Sequence, residues 1–141
     1  MTIDFGSINY WAVIVAAFAT FMLGGLWYTA LFGKARVALL GWNEQQLAEA
    51  QKRMPPAMFF TVMIVAYLVT ALILAILASA TGVNTLAGGL LLGALLWAGF
   101  ALTIGATGHV SFDHKHGVFG IDAAFQLVFL LLMGAIIGAW Q

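Results

Sequence analysis

Cysteine is missing altogether from this chain of 141 residues, which excludes disulfides, thiolate metal centres and cysteine nucleophiles. Charge is nearly missing as well. Charged residues make up 7% of the sequence, against roughly 25% in soluble domains. The five lysines and arginines are too few to form a basic face for nucleic acid. The N-terminus has neither the basic stretch nor the small-residue cleavage pattern of a secretory signal, so the first apolar segment is read as retained. GxSxG, Walker and dinucleotide-binding patterns are absent, as is HExxH. Ser111, near His109 and Asp113, has the letters of a hydrolytic triad without its context. The expectation is a protein that is not an enzyme and needs no cofactor.

What the chain does contain is apolar sequence, with 64% hydrophobic residues and a mean hydropathy of +1.06. A helix needs about 20 mainly apolar residues to cross a hydrocarbon core of roughly 30 Å. Four stretches have that length: 8–31, 57–80, 86–107 and 118–140. Little chain is left for anything else. The reading is one integral membrane domain over 1–141: all-α, polytopic, a four-transmembrane-helix bundle in the lipid bilayer. Lys34, Arg36, Lys52 and Arg53 lie between the first two spans and Lys115 between the last two, while the second loop, 81–85, carries no charge. By the positive-inside rule the first and third loops face the cytoplasm and both termini lie outside.

The first loop holds a short amphipathic helix at 44–54. Asn43 is a good N-cap, Gln46 stands at the capping-box position, and Trp42 and Leu47 occupy the positions of a hydrophobic staple. Glu49 precedes Arg53 by one turn, a spacing that allows an ion pair. Leu47, Ala50 and Met54 form a thin apolar stripe suited to the membrane surface or to the protein's own bundle. Pro55 and Pro56 then start the second span.

Small residues recur at intervals of four: Ala71, Ala75 and Ser79, then Gly89 with Gly93, Ala101 with Gly105, and Gly134 with Gly138. Gly24 and Gly25 lie near the end of the first span. Such residues let helices approach closely in lipid, where packing drives association. They appear on most faces, which favours a homo-oligomer, or a subunit of a larger membrane complex, over a monomer. Trp27 and Tyr28, just inside the basic residues, and Trp140 read as interfacial anchors. "LGGLW" at 23–27 and "LGALLW" at 92–97 occupy equivalent places in the two helical pairs, a match too short to establish a repeat.

The polar residues at depth carry whatever chemistry there is. Asp122, with Gln126 one turn on, lies in the fourth span; acidic residues in spans usually face a bundle interior or an aqueous cavity. The same carboxylate, near a helix start, also meets the positive dipole end. "GHVSFDHKHG" at 108–117 holds all three histidines. His109, Asp113, His114 and His116 are donors suited to zinc or another divalent metal, set against the reading of a solvated turn. His109, nearest the third span and facing Asp122, is the candidate pH-responsive group.

"LGGLWYTALFGKA", the long third span and "FGIDAAFQLVFLLLMGAIIGAW" resemble the DUF1761 family of small bacterial membrane proteins. Trp27, Tyr28, Phe32, Gly33, Lys34, Ile121, Asp122, Met133, Gly134 and Gly138 are the matching positions. The resemblance implies four spans in a bacterial cytoplasmic membrane and brings no established activity. The family often has proline after the small hydroxyl residue that follows the Trp-Tyr pair. This chain has Ala30 there, which implies a straighter run from the first helix into the loop. The leading expectation is a small oligomeric protein that transports or conducts a proton, ion or small solute past Asp122, Gln126 and His109, with Thr103 and Thr107 lining the path. Its rivals are a structural or accessory subunit and a pH- or metal-responsive sensor.

Overall fold

Each apolar stretch forms one long helix in the computed structural model, which describes residues 2–112 and 115–141. Among the described residues there are a 3₁₀ turn at Phe5–Ser7, six longer helices and no strand: α1 (Tyr10–Leu31), α2 (Gly33–Leu40), α3 (Glu44–Arg53), α4 (Pro56–Thr81), α5 (Leu86–Phe112) and α6 (His116–Ala139). α1, α4, α5 and α6 are long and apolar enough to cross a membrane. Their outward faces carry Phe18, Leu95 and Ile104, each at least 60% exposed. Helices this apolar all round belong in lipid. The chain is therefore a four-span helical membrane protein with α2 and α3 in its first connection.

Local sequence explains the ends. Asn9 caps α1 through Ala12 N–H, Thr85 caps α5 through Gly88 N–H, and Pro56 opens α4. Gly41 and Gly82 stop α2 and α4 in the left-handed region, with φ of 67° and 71°. The capping box of α3 forms as expected: Asn43 Oδ1 accepts from Gln46 N–H at 2.8 Å and Gln46 Oε1 from Asn43 N–H at 2.9 Å. Asn43→Ala should cost α3 about 1 kcal/mol. Hydrogen–deuterium exchange would then show its first-turn amides exchanging roughly fivefold faster, with α1 and α4 unchanged. The Glu49–Arg53 ion pair does not form among the described residues.

Two expectations about boundaries are corrected. α2, read as loop, is a helix. The third span runs to Phe112 and the fourth starts at His116, so His109 and His116 of the histidine-rich stretch lie on helices.

α1, α4 and α6 form the packed centre, and α5 leans on α6. Ala12 and Ala16 of α1 and Ala71, Ala75 and Ala78 of α4 are fully buried, joined by Leu74, Met133 and Ile137. Alanine at these positions lets the helix axes come close. The α5–α6 seam is tighter still. A Cβ on Gly89 would lie 1.9 Å from the Gly134 carbonyl oxygen, one on Gly93 2.3 Å from that of Leu130, and one on Gly138 2.4 Å from that of Thr85. Backbone therefore touches backbone, and the glycine pairs that suggested self-association are used inside one chain. Gly105 meets the Phe119 ring. Gly25 has nothing within 4 Å of where a Cβ would be, and so makes no close approach within the chain.

At one end of the bundle Ser7 and Ser79 share a hydrogen bond of 2.6 Å, and Asn9 Nδ2 donates to the Trp140 carbonyl at 2.7 Å. These bonds tie the N-terminal segment to the last turns of α4 and to the end of α6. Exposed Trp11 and Trp140 lie at this end. The other end carries α2, α3 and the α5–α6 connection, and holds the described charged side chains apart from Asp4.

Candidate functional site

The first helix does not run straight out of the bundle. Over Trp27–Leu31 it widens to π-helical winding, with Phe32 N–H reaching the Trp27 carbonyl at 2.8 Å, and the chain then turns at Phe32. The straighter path inferred from Ala30 is thus corrected. The winding turns both aromatic residues inward. Trp27 is 9% exposed and packs on Phe32 and Phe125, its indole N–H without a hydrogen-bond partner among the described residues. Tyr28 lies edge-on to Phe125, and its hydroxyl donates to Asp122 Oδ1 at 2.8 Å. Neither is a lipid-facing interfacial anchor, because each ring has a partner on α6. A π segment also occurs in α5, at Trp97–Ala101, where Trp97 Nε1 donates to the Ala123 carbonyl at 2.9 Å. The two similar tryptophan motifs thus take the same local winding. π-Turns inside α-helices are frequent at functional sites.

After the turn, α2 comes back against α6. Leu39 rests on Gly117, where a Cβ would come within 2.7 Å of Leu39 Cδ1. That contact brings Arg36 to Asp122. Arg36 Nε lies 3.3 Å from Asp122 Oδ1, and its guanidinium stands 5.5 Å from the centre of the Tyr28 ring. Tyr28 and Arg36 converge on one carboxylate oxygen. The pairing is single-pronged, unlike the two-bond fork that arginine and carboxylate can form. Both side chains are 35% exposed. Asp122 lies six residues inside the start of α6, roughly 9 Å along its axis.

Asp122 and Gln126 border two cavities. The larger, about 530 Å³, lies between α1, α2, α4 and α6 and is also lined by Tyr28, Arg36, Tyr67 and Phe129. The smaller, about 310 Å³, lies between α5 and α6 and is also lined by Gly105, His109, Phe112 and Phe119. His109 is 9% exposed and stacks on Phe119 with ring centres 4.9 Å apart. Its Nε2 is 2.6 Å from Nδ1 of His116, a contact in which one ring donates and the other accepts.

The site lies within a recognisable family unit. The model of the family described as a protein of unknown function, DUF1761, matches residues 11–138. The chain belongs to the DUF1761 family. No curated protein and no solved structure matches it. Tyr28, Arg36, His109, Asp122 and Gln126 all fall within the matched segment of this DUF1761 chain.

The structure brings Asp122, Gln126 and His109 to one cavity, as the sequence placed them, though His109 pairs with His116 rather than with Asp122. Of the four candidate metal ligands, Asp113 and His114 lie outside the described residues. Among the described residues no group of three or more metal-ligating side chains is assembled, and His109 and His116 face each other. Thr103 and Thr107 line neither cavity: they are exposed, and their hydroxyls bond carbonyls of their own helix.

Two residues escaped the sequence reading. Arg36 passed for a loop charge, although glycine at 33 and 41 around an eight-residue run could have marked a capped helix. Tyr67 left no signal in the apolar sequence of α4.

Proposed function

We propose that this protein carries a small solute, an ion or a proton across the membrane past Asp122, with Gln126 and His109 beside the path. The observation that carries the reading is a carboxylate on a spanning helix that borders cavities on both of its sides. A carboxylate in a span is costly, and such residues most often mark ion or proton routes. Tyr28 and Arg36 offset that cost here, and both are groups that a passing ligand or proton can displace. Toward the other end, the closed core of Leu74, Met133 and Ile137 and the glycine seam leave passage to a change in helix packing, as in carriers that expose a site to each side in turn.

With α2 and α3 on the cytoplasmic side, as their basic residues favour, the cavities face the cell interior and both termini lie outside. Proteoliposomes loaded with a pH-sensitive dye and tested with protons, potassium and octanoate supply the test. Asp122→Asn is expected to lower the protein-dependent flux at least tenfold. Flux equal to that of the wild type would remove Asp122 from the path and end the reading.

A further inference from the structure

The larger cavity has walls of two kinds. The polar lining is the Arg36 guanidinium, the Asp122 carboxylate, the Tyr28 and Tyr67 side chains and the Gln126 amide. The apolar lining includes Phe59, Met63, Phe125 and Phe129. The rings of Phe125 and Phe129 lie 5.2 Å apart, and Tyr67 meets Phe129 edge-on at 5.7 Å. Gly24 makes room for this arrangement, since a Cβ there would meet Phe125 at 3.3 Å and the Tyr67 hydroxyl at 3.5 Å.

Hydrogen-bond accounting shows what the polar lining lacks. Tyr28 O–H and Arg36 Nε–H both go to Asp122 Oδ1. The terminal N–H groups of Arg36, the Tyr67 hydroxyl and the Gln126 amide have no hydrogen-bond partner among the described residues. Asp122 Oδ2 has none among them either, so the open capacity holds both donors and a carboxylate acceptor; the strongest donor is a planar guanidinium fork that matches the oxygens of a carboxylate or phosphate. Arg36 and Phe59 also border an adjoining groove of about 650 Å³ with Met54, Pro56 and Phe60, between α3 and the start of α4. Apolar surface thus runs on from Arg36 toward the end of the bundle. A volume of about 530 Å³ is in the range of small-ligand sites.

We propose that this cavity binds a singly anionic amphiphile, a carboxylate or phosphodiester head with an apolar body, its head on Arg36 in competition with Asp122. Arg36 and Asp122 together are neutral, so an anion meets the full charge of Arg36 only when the carboxylate is neutralised or turned aside. The apolar body lies along Phe59, Met63 and Phe129. This inference names a ligand for the site read above as a transport path, and rests on that reading only for the claim that the ligand moves.

The test measures binding apart from transport. Protein in nanodiscs of phosphatidylcholine is titrated with radiolabelled octanoate, with octylamine as the cationic control. Saturable octanoate binding is expected, at least tenfold tighter in Asp122→Asn and at least tenfold weaker in Arg36→Gln. A gain of affinity cannot come from misfolding, so Asp122→Asn keeps the test sound even where Arg36→Gln fails to fold. Doping the discs with phosphatidylglycerol separates the two sources of the head group. Displacement of octanoate by that lipid assigns the site to the leaflet, and undiminished octanoate binding assigns it to a free carboxylate.

The inference is overturned if octylamine binds as well as octanoate, if neither variant changes octanoate affinity, or if Asp122→Asn weakens it. Binding with the expected pattern but no flux of octanoate, protons or potassium leaves the inference standing and removes transport. Asp122-dependent flux of protons or potassium without octanoate binding does the reverse.

Discussion

Gly89→Ala is expected to lower the melting temperature of the detergent-solubilised protein by roughly 10 °C, and Gly89→Leu to prevent recovery of a folded species. The methyl group of alanine would lie 1.9 Å from the Gly134 carbonyl oxygen, and it faces backbone that no side-chain rotation can move. To reach an ordinary contact, α5 and α6 must separate by roughly 1.5 Å, against spacings of about 3.5 Å between nonbonded atoms. Separation at that point loosens Gly93 on Leu130 and Gly138 on Thr85 as well, because all lie on one seam. Overpacking of side chains costs about 1–3 kcal/mol, and a rigid backbone contact belongs at the upper end of that range. Gly99 and Gly108 on the same helix are the controls, since a Cβ on either meets nothing within 4 Å. Their alanine variants should melt within about 2 °C of the wild type, or slightly higher given alanine's helix propensity. If Gly89→Ala melts with these controls, the helices are not held by backbone contact along this seam.

Gly33→Val should abolish Asp122-dependent flux while leaving the spanning bundle folded. Gly33 follows the π-wound end of α1, and a Cβ there would lie 2.6 Å from the Tyr28 carbonyl oxygen. Valine adds two methyl groups to that clash, so the backbone of 28–33 must shift. The residues that shift are those that set the site: Tyr28 leaves Asp122 Oδ1, and α2 swings the Arg36 guanidinium away. The cost is about 1–3 kcal/mol, confined to the α1–α2 junction because Gly33 lies off the α1–α4 and α5–α6 seams. Two readouts separate this outcome from general unfolding. Flux in proteoliposomes should match that of Asp122→Asn, and the melting temperature should fall by less than in Gly89→Ala. Full flux in Gly33→Val would show that the Tyr28–Asp122–Arg36 arrangement is not needed for transport.

These two glycines also show how far local sequence reaches. Gly89 and Gly93, at a spacing of four in an apolar run, announced a close helix contact. Their partners, Gly134 and Gly138, carried the same spacing, but nothing in either motif says that the two meet within one chain. Gly33 carried no such signal, because its role is set by a carbonyl five residues back that only π-winding brings near. Trp27 and Tyr28 illustrate the same limit. An aromatic pair beside basic residues is the pattern of a membrane-interface anchor, and the change of helical winding decides that both rings point into the protein instead.

By itself the sequence determined what depends on residues close along the chain. Hydropathy placed the four spans, and capping chemistry placed the surface helix to within a residue. The scarcity of charge in the spans marked Asp122 as a position of interest. Only the tertiary structure decided which groups meet Asp122 there. Its partners Tyr28 and Arg36 lie 94 and 86 residues away, and they arrive through a π-wound helix end and the seating of α2 on α6. Periodicity and capping are local properties and can be read from local sequence. The partner of a charge on a spanning helix depends on which helix faces meet, which follows from packing of the whole chain.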